Sequence, residues 1–225
     1  MSVGSLEKPT LWVEGLDDRH TILSLLARHG ISLDERKGPV ILKEGKNDRG
    51  VLEVMATSAK APTRRPVGYV IDADTSLANR WDAVRNNLRN LPIQLPEHPP
   101  PGGLIAGSPD GVYRVGVWLM PDNTASRGAI EDLLRTLIPP DDHLFAHAQR
   151  ATSDARELGA RFSEADHKKA ELHCWLAWQR DPGRPFGTAI QAEFFKDDSP
   201  AALAFVEWFK LLYKDALEPE AATGG

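Results

Sequence analysis

Cysteine is almost absent from this chain of 225 residues: Cys174 stands alone. One thiol excludes an internal disulfide and a multi-cysteine zinc module, and it fits a reducing cytoplasm. Long apolar runs are absent too. No stretch approaches the ~20 residues that a membrane-spanning helix requires, and residues 1–8 lack the charged region and apolar core of a signal peptide. The expectation is a cytoplasmic protein with no membrane partner. Positive charge is in deficit, with 27 Lys and Arg against 32 Asp and Glu and a formal net charge of −5. The molecule as a whole is therefore not a basic nucleic-acid binder; a polyanion would need a local basic patch, a bridging metal or a partner protein. A Walker A pattern is missing, so the chain supplies no P-loop ATPase. Internal repeats and low-complexity segments are missing as well.

What is present is ordinary in bulk and specific in placement. Hydrophobic residues make up 41% and charged residues 26%, enough to bury a full core. Two short apolar runs end on acids: Leu11-Trp12-Val13 before Glu14, and Val67-Gly68-Tyr69-Val70-Ile71 before Asp72-Ala73-Asp74. Such runs read as buried strands of a parallel sheet. Between them, Ile22, Leu23, Leu25 and Leu26 recur at helical spacing after Asp17 and Asp18, either of which can cap that helix, and Gly30 stands where a C′ glycine belongs. Pro39-Val40-Ile41-Leu42 reads as a second strand, and Asn47 caps a helix through Val51, Leu52, Val54 and Met55. After the third strand a helix carries Leu77, Trp81, Val84 and Leu88. A Pro/Gly-rich loop, residues 92–103, then leads into a strand over residues 111–120, entered by a hairpin from Leu104-Ile105-Ala106. Helical periodicity dominates afterwards, over residues 128–138, 141–161, 164–178 and 200–213. The strand–helix alternation predicts an α/β, Rossmannoid fold: a mainly parallel sheet flanked by helices, over residues 1–138, with a helical extension at 139–225 packed on it, or the two as one continuous domain. Residues 218–225 read as a frayed tail.

In open α/β sheets ligands bind beyond the carboxyl ends of the strands. Carboxylates converging there repel one another unless a cation sits between them. Oxygen-only ligands favour a hard cation, so the expected guest is Mg²⁺ or Mn²⁺, with one ion or two. Glu14, Asp72 and Asp74 are the first candidates. A plainer account has the acids capping helices and filling turns, and one of Asp17 and Asp18 serving as N-cap. For Asp122, in the turn-forming Pro121-Asp122-Asn123, and for Glu131 and Asp132, a turn and a solvated helix face are the stronger explanations. Basic residues that flank the set, as clamps for a phosphate, are Arg64, Arg65, Arg80, Arg85, Arg89, Lys168 and Lys169, none singled out by spacing. His143 and His147 have a zinc-compatible spacing but no third ligand. Cys174 and the aromatics Trp175, Trp178, Phe194, Phe195, Phe205, Trp208 and Phe209 read as core, with a partner-docking surface as the minority reading.

Val13-Glu14-Gly15-Leu16-Asp17-Asp18 and Val70-Ile71-Asp72-Ala73-Asp74 resemble the Toprim domain of primases, topoisomerases and nucleases of the overcoming-lysogenization-defect (OLD) type. The stretches Val117–Asn123, Gly128–Leu134 and Lys169–Ala177 look like the small Toprim-related bacterial proteins grouped as DUF3226, and the resemblance covers nearly the whole chain. It implies that Glu14 is a general acid/base and metal ligand, that Asp72 and Asp74 are metal ligands, and that Asp18, with Asp17 as the alternative, helps hold a second metal. Glu131 or Asp132 matches a later acid near a helix start. The implied activity is metal-dependent cleavage of DNA or RNA, in a phage-defence setting with an ATPase partner. The primase zinc module and a topoisomerase cleavage tyrosine are not recognisable here. Two further readings remain open: a non-catalytic interaction module, favoured by the net negative charge, and a nucleotidyl or phosphoryl transferase, which a closed pocket roofed by residues 92–103 would favour.

Overall fold

A computed structural model describes residues 8–33, 38–60 and 65–218. Arg64, the N-terminal segment 1–7 and the tail from residue 219 lie outside the described residues. Each apolar run forms its strand: β1 is Thr10–Val13, β2 Ile41–Glu44, β3 Val67–Asp72, β4 Leu104–Gly107 and β5 Arg114–Met120. The helices among the described residues are α1 (Leu16–Arg28), α2 (Asp48–Ser58), α3 (Leu77–Leu88), α4 (Ile130–Thr136), α5 (His143–Glu157), α6 (His167–Ala177), α7 (Phe186–Gln191), α8 (Pro200–Leu212) and α9 (Lys214–Leu217).

The five strands run in the order β2-β1-β3-β5-β4. The first four are parallel; β4 pairs antiparallel with β5, as the hairpin expectation requires. Side chains alternate across the sheet. On β3, Tyr69 and Ile71 face one core with Val51, Met55, Trp81, Val84 and Leu88 of α2 and α3. Val70 faces the other, with Leu11 and Val13 of β1, Trp118 and Met120 of β5, and apolar residues of α1, α4, α6, α7 and α8. Helices therefore cover both faces of a mostly parallel sheet, the Rossmann-like arrangement. The later helices share a core with β1: Tyr213 donates its hydroxyl to the Thr10 carbonyl at 2.7 Å. Gly68 and Gly116 are paired in register, and a Cβ on either would fall within 3 Å of Leu212 or Tyr213 atoms. That glycine pair is the shallow track in which the end of α8 lies.

Local signals set most boundaries. Asn47 caps α2 by accepting from Gly50 N at 2.8 Å, Ser76 caps α3 by accepting from Asn79 N at 3.3 Å, and Gly30 carries a φ of 77°. Helices α4, α5 and α6 are shorter at both ends than their periodicity suggested, and three earlier boundaries also differ from expectation. The cap of α1 is Gly15, with Asp18 at the third helical position reaching back to its N–H at 2.8 Å, so neither Asp17 nor Asp18 is the N-cap. β2 begins at Ile41, where the first ladder bond to the Pro9 carbonyl forms at 2.9 Å; Pro39 has no N–H to offer. β5 begins at Arg114 because residues 108–111 form the hairpin turn, closed by Gly111 N to Ser108 O at 3.0 Å. Helix α7 was not expected at all. It packs against α1, where a Cβ on Gly187 would stand 2.8 Å from the His20 carbonyl oxygen.

The aromatics divide as expected for a core. Trp175, Phe195, Phe205, Trp208 and Phe209 are buried and Phe194 is partly buried, while Trp178 is 41% exposed and stacks on His147 at 5.2 Å. Cys174 is partly buried against the same core.

Candidate functional site

The chain order turns back between β1 and β3: from β1 it first goes to β2 on one side and then to β3 on the other. At such a switch point the connections leave in opposite directions and a crevice opens beyond the carboxyl ends. Glu14 immediately follows β1 and Asp72 ends β3. Their strands are neighbours in parallel register, and Glu14 Oε1 accepts the Asp72 N–H at 2.8 Å. Asp72 Oδ1 in turn accepts the N–H of Ile130, the first residue of α4, at 3.1 Å.

Asp74 sits just beyond. Its φ of 49° is left-handed, and a reciprocal bridge to Gly128 holds its backbone, N to O at 2.8 Å and O to N at 2.9 Å. Gly128 has a φ of 151°, and a Cβ there would stand 2.8 Å from Pro121 Cδ. Only glycine adopts that conformation readily, so it fixes where the chain enters α4. The Asp74 carboxylate pairs with Arg80 from the first turn of α3.

Electrostatics bind these acids into one cluster. Burial pushes the Glu14 carboxyl up to about 7; Asp74 and Asp18 add to the rise, while the Asp72 N–H and Arg80 oppose it. Asp18 is pushed up to about 6 by burial, against the Gly15 N–H, with Glu131 and Asp17 raising it further and Lys169 lowering it. Asp72 reaches about 9, first through burial and then through Glu14, Asp18, Glu131 and Asp74. Asp72 thus lies within reach of the charges of Glu14, Asp18, Asp74 and Glu131.

The remaining candidates have other partners. Asp17 pairs with Lys169 at 3.1 Å. Asp132 accepts from Lys168 at 2.6 Å and from Ala129 N at 3.0 Å. Asp122 builds a turn: burial raises its pKa, but its Oδ1 accepts from Ala125 N at 2.8 Å and from Thr124 N and Oγ1 at 2.9 Å, and these bonds hold the carboxyl below its usual range. Of the flanking cations, Arg80 pairs with Asp74 of the cluster, Lys168 with Asp132, and Lys169 with Asp17, the charges of these last two reaching Asp18. Arg85 and Arg89 line cavities farther along α3. The roles of the Asp72 and Ile130 backbone N–H groups had no signal in the sequence.

Among the described residues no group of three or more His, Cys, Asp or Glu side chains is placed to hold a metal ion. Glu14 and Asp72 each engage one oxygen with a backbone N–H, and Asp74 is drawn to Arg80. The donor chemistry still fits a hard cation, being carboxylate oxygen throughout and crowded enough that neighbouring acids add to the rise of Glu14, Asp18 and Asp72. Mg²⁺ commonly takes only one or two carboxylates, with water and substrate phosphates completing its shell. Glu14 and Asp72 suit that kind of binding better than a closed protein cage.

The model of the family described as "Protein of unknown function (DUF3226)" matches residues 8–214. The chain belongs to the DUF3226 family. No curated protein and no solved structure matches it. The match to DUF3226 runs from before β1 to α9, so it includes every acid of the cluster. In this DUF3226 protein no helix among the described residues is long and apolar enough to cross a membrane.

Proposed function

We propose that this protein is a divalent-cation-dependent nuclease of the Toprim type, hydrolysing phosphodiester bonds of DNA or RNA. The observation that carries the reading is the pair Glu14–Asp72: two part-buried carboxylates, tied together at the switch point of a Rossmann-like sheet, with pKa values pushed to about 7 and about 9. Perturbed acids in a crevice are the mark of a working site.

Glu14, Asp18 and Asp72, joined by Asp74 once it leaves Arg80, are the residues that would hold one or two Mg²⁺ or Mn²⁺ ions. A bound divalent ion supplies charge neutralisation at the phosphate and acidifies a water. Glu14 takes the general acid/base role that the Toprim resemblance implies; about 7 is its metal-free pKa, and a bound cation would lower it. Lys169 and Arg80 bring positive charge to the rim, where they offset charge developing on the phosphate. Glu131 adds negative charge beside Asp18 and Asp72 and strengthens the demand for a cation. The proposal includes a cytoplasmic setting, which the single cysteine fits, and control by an ATPase partner, as the Toprim resemblance implies.

The cavity that would have favoured a small-substrate transferase does not reach these acids. It has about 450 Å³ between α3 and residues 97–99, and Leu77, Trp81, Asp82, Arg85, His98 and Asn123 are among its walls. None of Glu14, Asp18, Asp72 and Asp74 lines it.

The test is incubation of the purified protein with Mg²⁺ or Mn²⁺ and mixed single- and double-stranded DNA and RNA, beside the Asp72→Ala/Asp74→Ala double variant. The reading expects metal-dependent cleavage that the variant loses. Equal cleavage by both proteins would overturn it.

A further inference from the structure

We infer that Arg80 is a positioning residue that keeps the Asp74 carboxylate from the divalent cation until a substrate phosphate takes its guanidinium. The inference rests on the nuclease reading and adds its order of assembly. Three observations carry it. The Asp74 backbone is fixed on both sides by its bridge to Gly128, so only its side chain can change partners. That carboxylate is half exposed, at 49%, yet it is bound to an arginine only 11% exposed, whose charge also reaches Glu14. Arg80 thus stands where a cation is wanted. A cavity of about 200 Å³ opens beside the pair, with Thr75, Ser76, Asn79 and Ala83 among its walls, which gives a substrate phosphate room to approach the guanidinium.

The chemistry of the exchange is simple. A guanidinium presents a planar fork of donors that fits a carboxylate and a phosphate equally well. In the free protein the carboxylate has it. When a nucleic-acid phosphate reaches the rim the fork changes partner, and Asp74 is released towards Glu14 and Asp72. Cation and substrate then promote each other's binding, and the coupling is reciprocal.

The experiment is calorimetric titration of Mn²⁺ into the full chain, its Arg80→Gln and Arg80→Lys variants, and Asp74→Asn. Each is titrated alone and with a single-stranded phosphorothioate oligonucleotide. Without oligonucleotide, R80Q is expected to bind Mn²⁺ about five- to tenfold tighter than the parent. The oligonucleotide is expected to tighten Mn²⁺ binding by the parent by a larger factor than by R80Q, whose gain comes only from phosphate completing the cation's shell. R80K keeps the charge without the fork and gives a gain of about two- to threefold; it carries the test should R80Q fail to fold. Mn²⁺ binding by both Arg80 variants no tighter than by the parent, yet weakened by D74N, would overturn the role of Arg80 and leave the cation site standing. No Mn²⁺ binding by any of the proteins would overturn both.

Discussion

Asp72 and Asp122 close neighbouring parallel strands, and they meet opposite surroundings. Asp72 ends β3, paired in register with Met120 of β5; Asp122 follows two residues later. Asp122 has three donors within 2.9 Å and a pKa held below its usual range. Asp72 has one backbone donor at 3.1 Å, four acids within reach of its charge and a pKa of about 9. An acid needed for a turn is given its donors by the local chain. An acid kept buried without enough of them lowers stability, and such residues persist where a ligand completes them.

The contrast breaks first in activity. Asp72→Asn, nearly isosteric but uncharged, is expected to reduce metal-dependent cleavage by more than about 100-fold, whereas Asp122→Asn should stay within about threefold of the parent. A gel-based cleavage assay with both variants decides it; equal losses would erase the distinction between the two strand ends.

Stability should separate the same pair with opposite sign. In metal-free protein Asp72→Asn removes an acid that must take up a proton on folding near neutral pH, and it is expected to stabilise by about 1–2 kcal/mol, a rise of roughly 2–8 °C in Tm. Asp122→Ala strips a turn of its acceptor and should destabilise by about 1 kcal/mol. Thermal unfolding in the presence of a chelator reads both.

The pH dependence sharpens the comparison further. Below its ordinary value of 3.8, Asp72 is protonated whether folded or not; between there and about 9 the folded protein holds a proton that the unfolded chain releases. Proton binding is then greater in the native state, so stability falls as pH rises through that window. Asp122, with its pKa lowered, contributes in the other direction: its stabilisation is present above the ordinary range and is lost as pH falls below it. Denaturant titrations of metal-free protein at pH 5 and pH 8 should show lower stability at pH 8, with a smaller difference in Asp72→Asn. An unchanged difference would mean that Asp72 is not the group responsible.

Much of this was legible in the sequence because apolar runs ending in acids are local signals. The two strand ends, the hairpin into β5, the Asn47 cap and the buried face of α3 follow from residues close in the chain. The α1 cap was not legible: an acid at the third helical position can reach back to a glycine N–H, and Asp17-Asp18 offers no sign of which acid does so. Helix α7 begins Pro185-Phe186-Gly187, which reads as a turn; only its packing on α1 makes it a helix. Arg80 could not be told from Arg85 and Arg89, because the choice depends on how the first turn of α3 folds back over the end of β3. Glu131 was paired with Asp132 as an alternative; the register of α4 turns Asp132 to Lys168 and leaves Glu131 within reach of the cluster's charge.

The most direct measurement is the thermal unfolding of parent, Asp72→Asn and Asp122→Asn with and without Mn²⁺. If the acids between β1 and β3 hold a divalent cation, Mn²⁺ at about 100 times its Kd should stabilise the parent and Asp122→Asn by roughly 2.7 kcal/mol and leave Asp72→Asn nearly unmoved. The same shift in all three proteins, or no shift in the parent, would contradict the account.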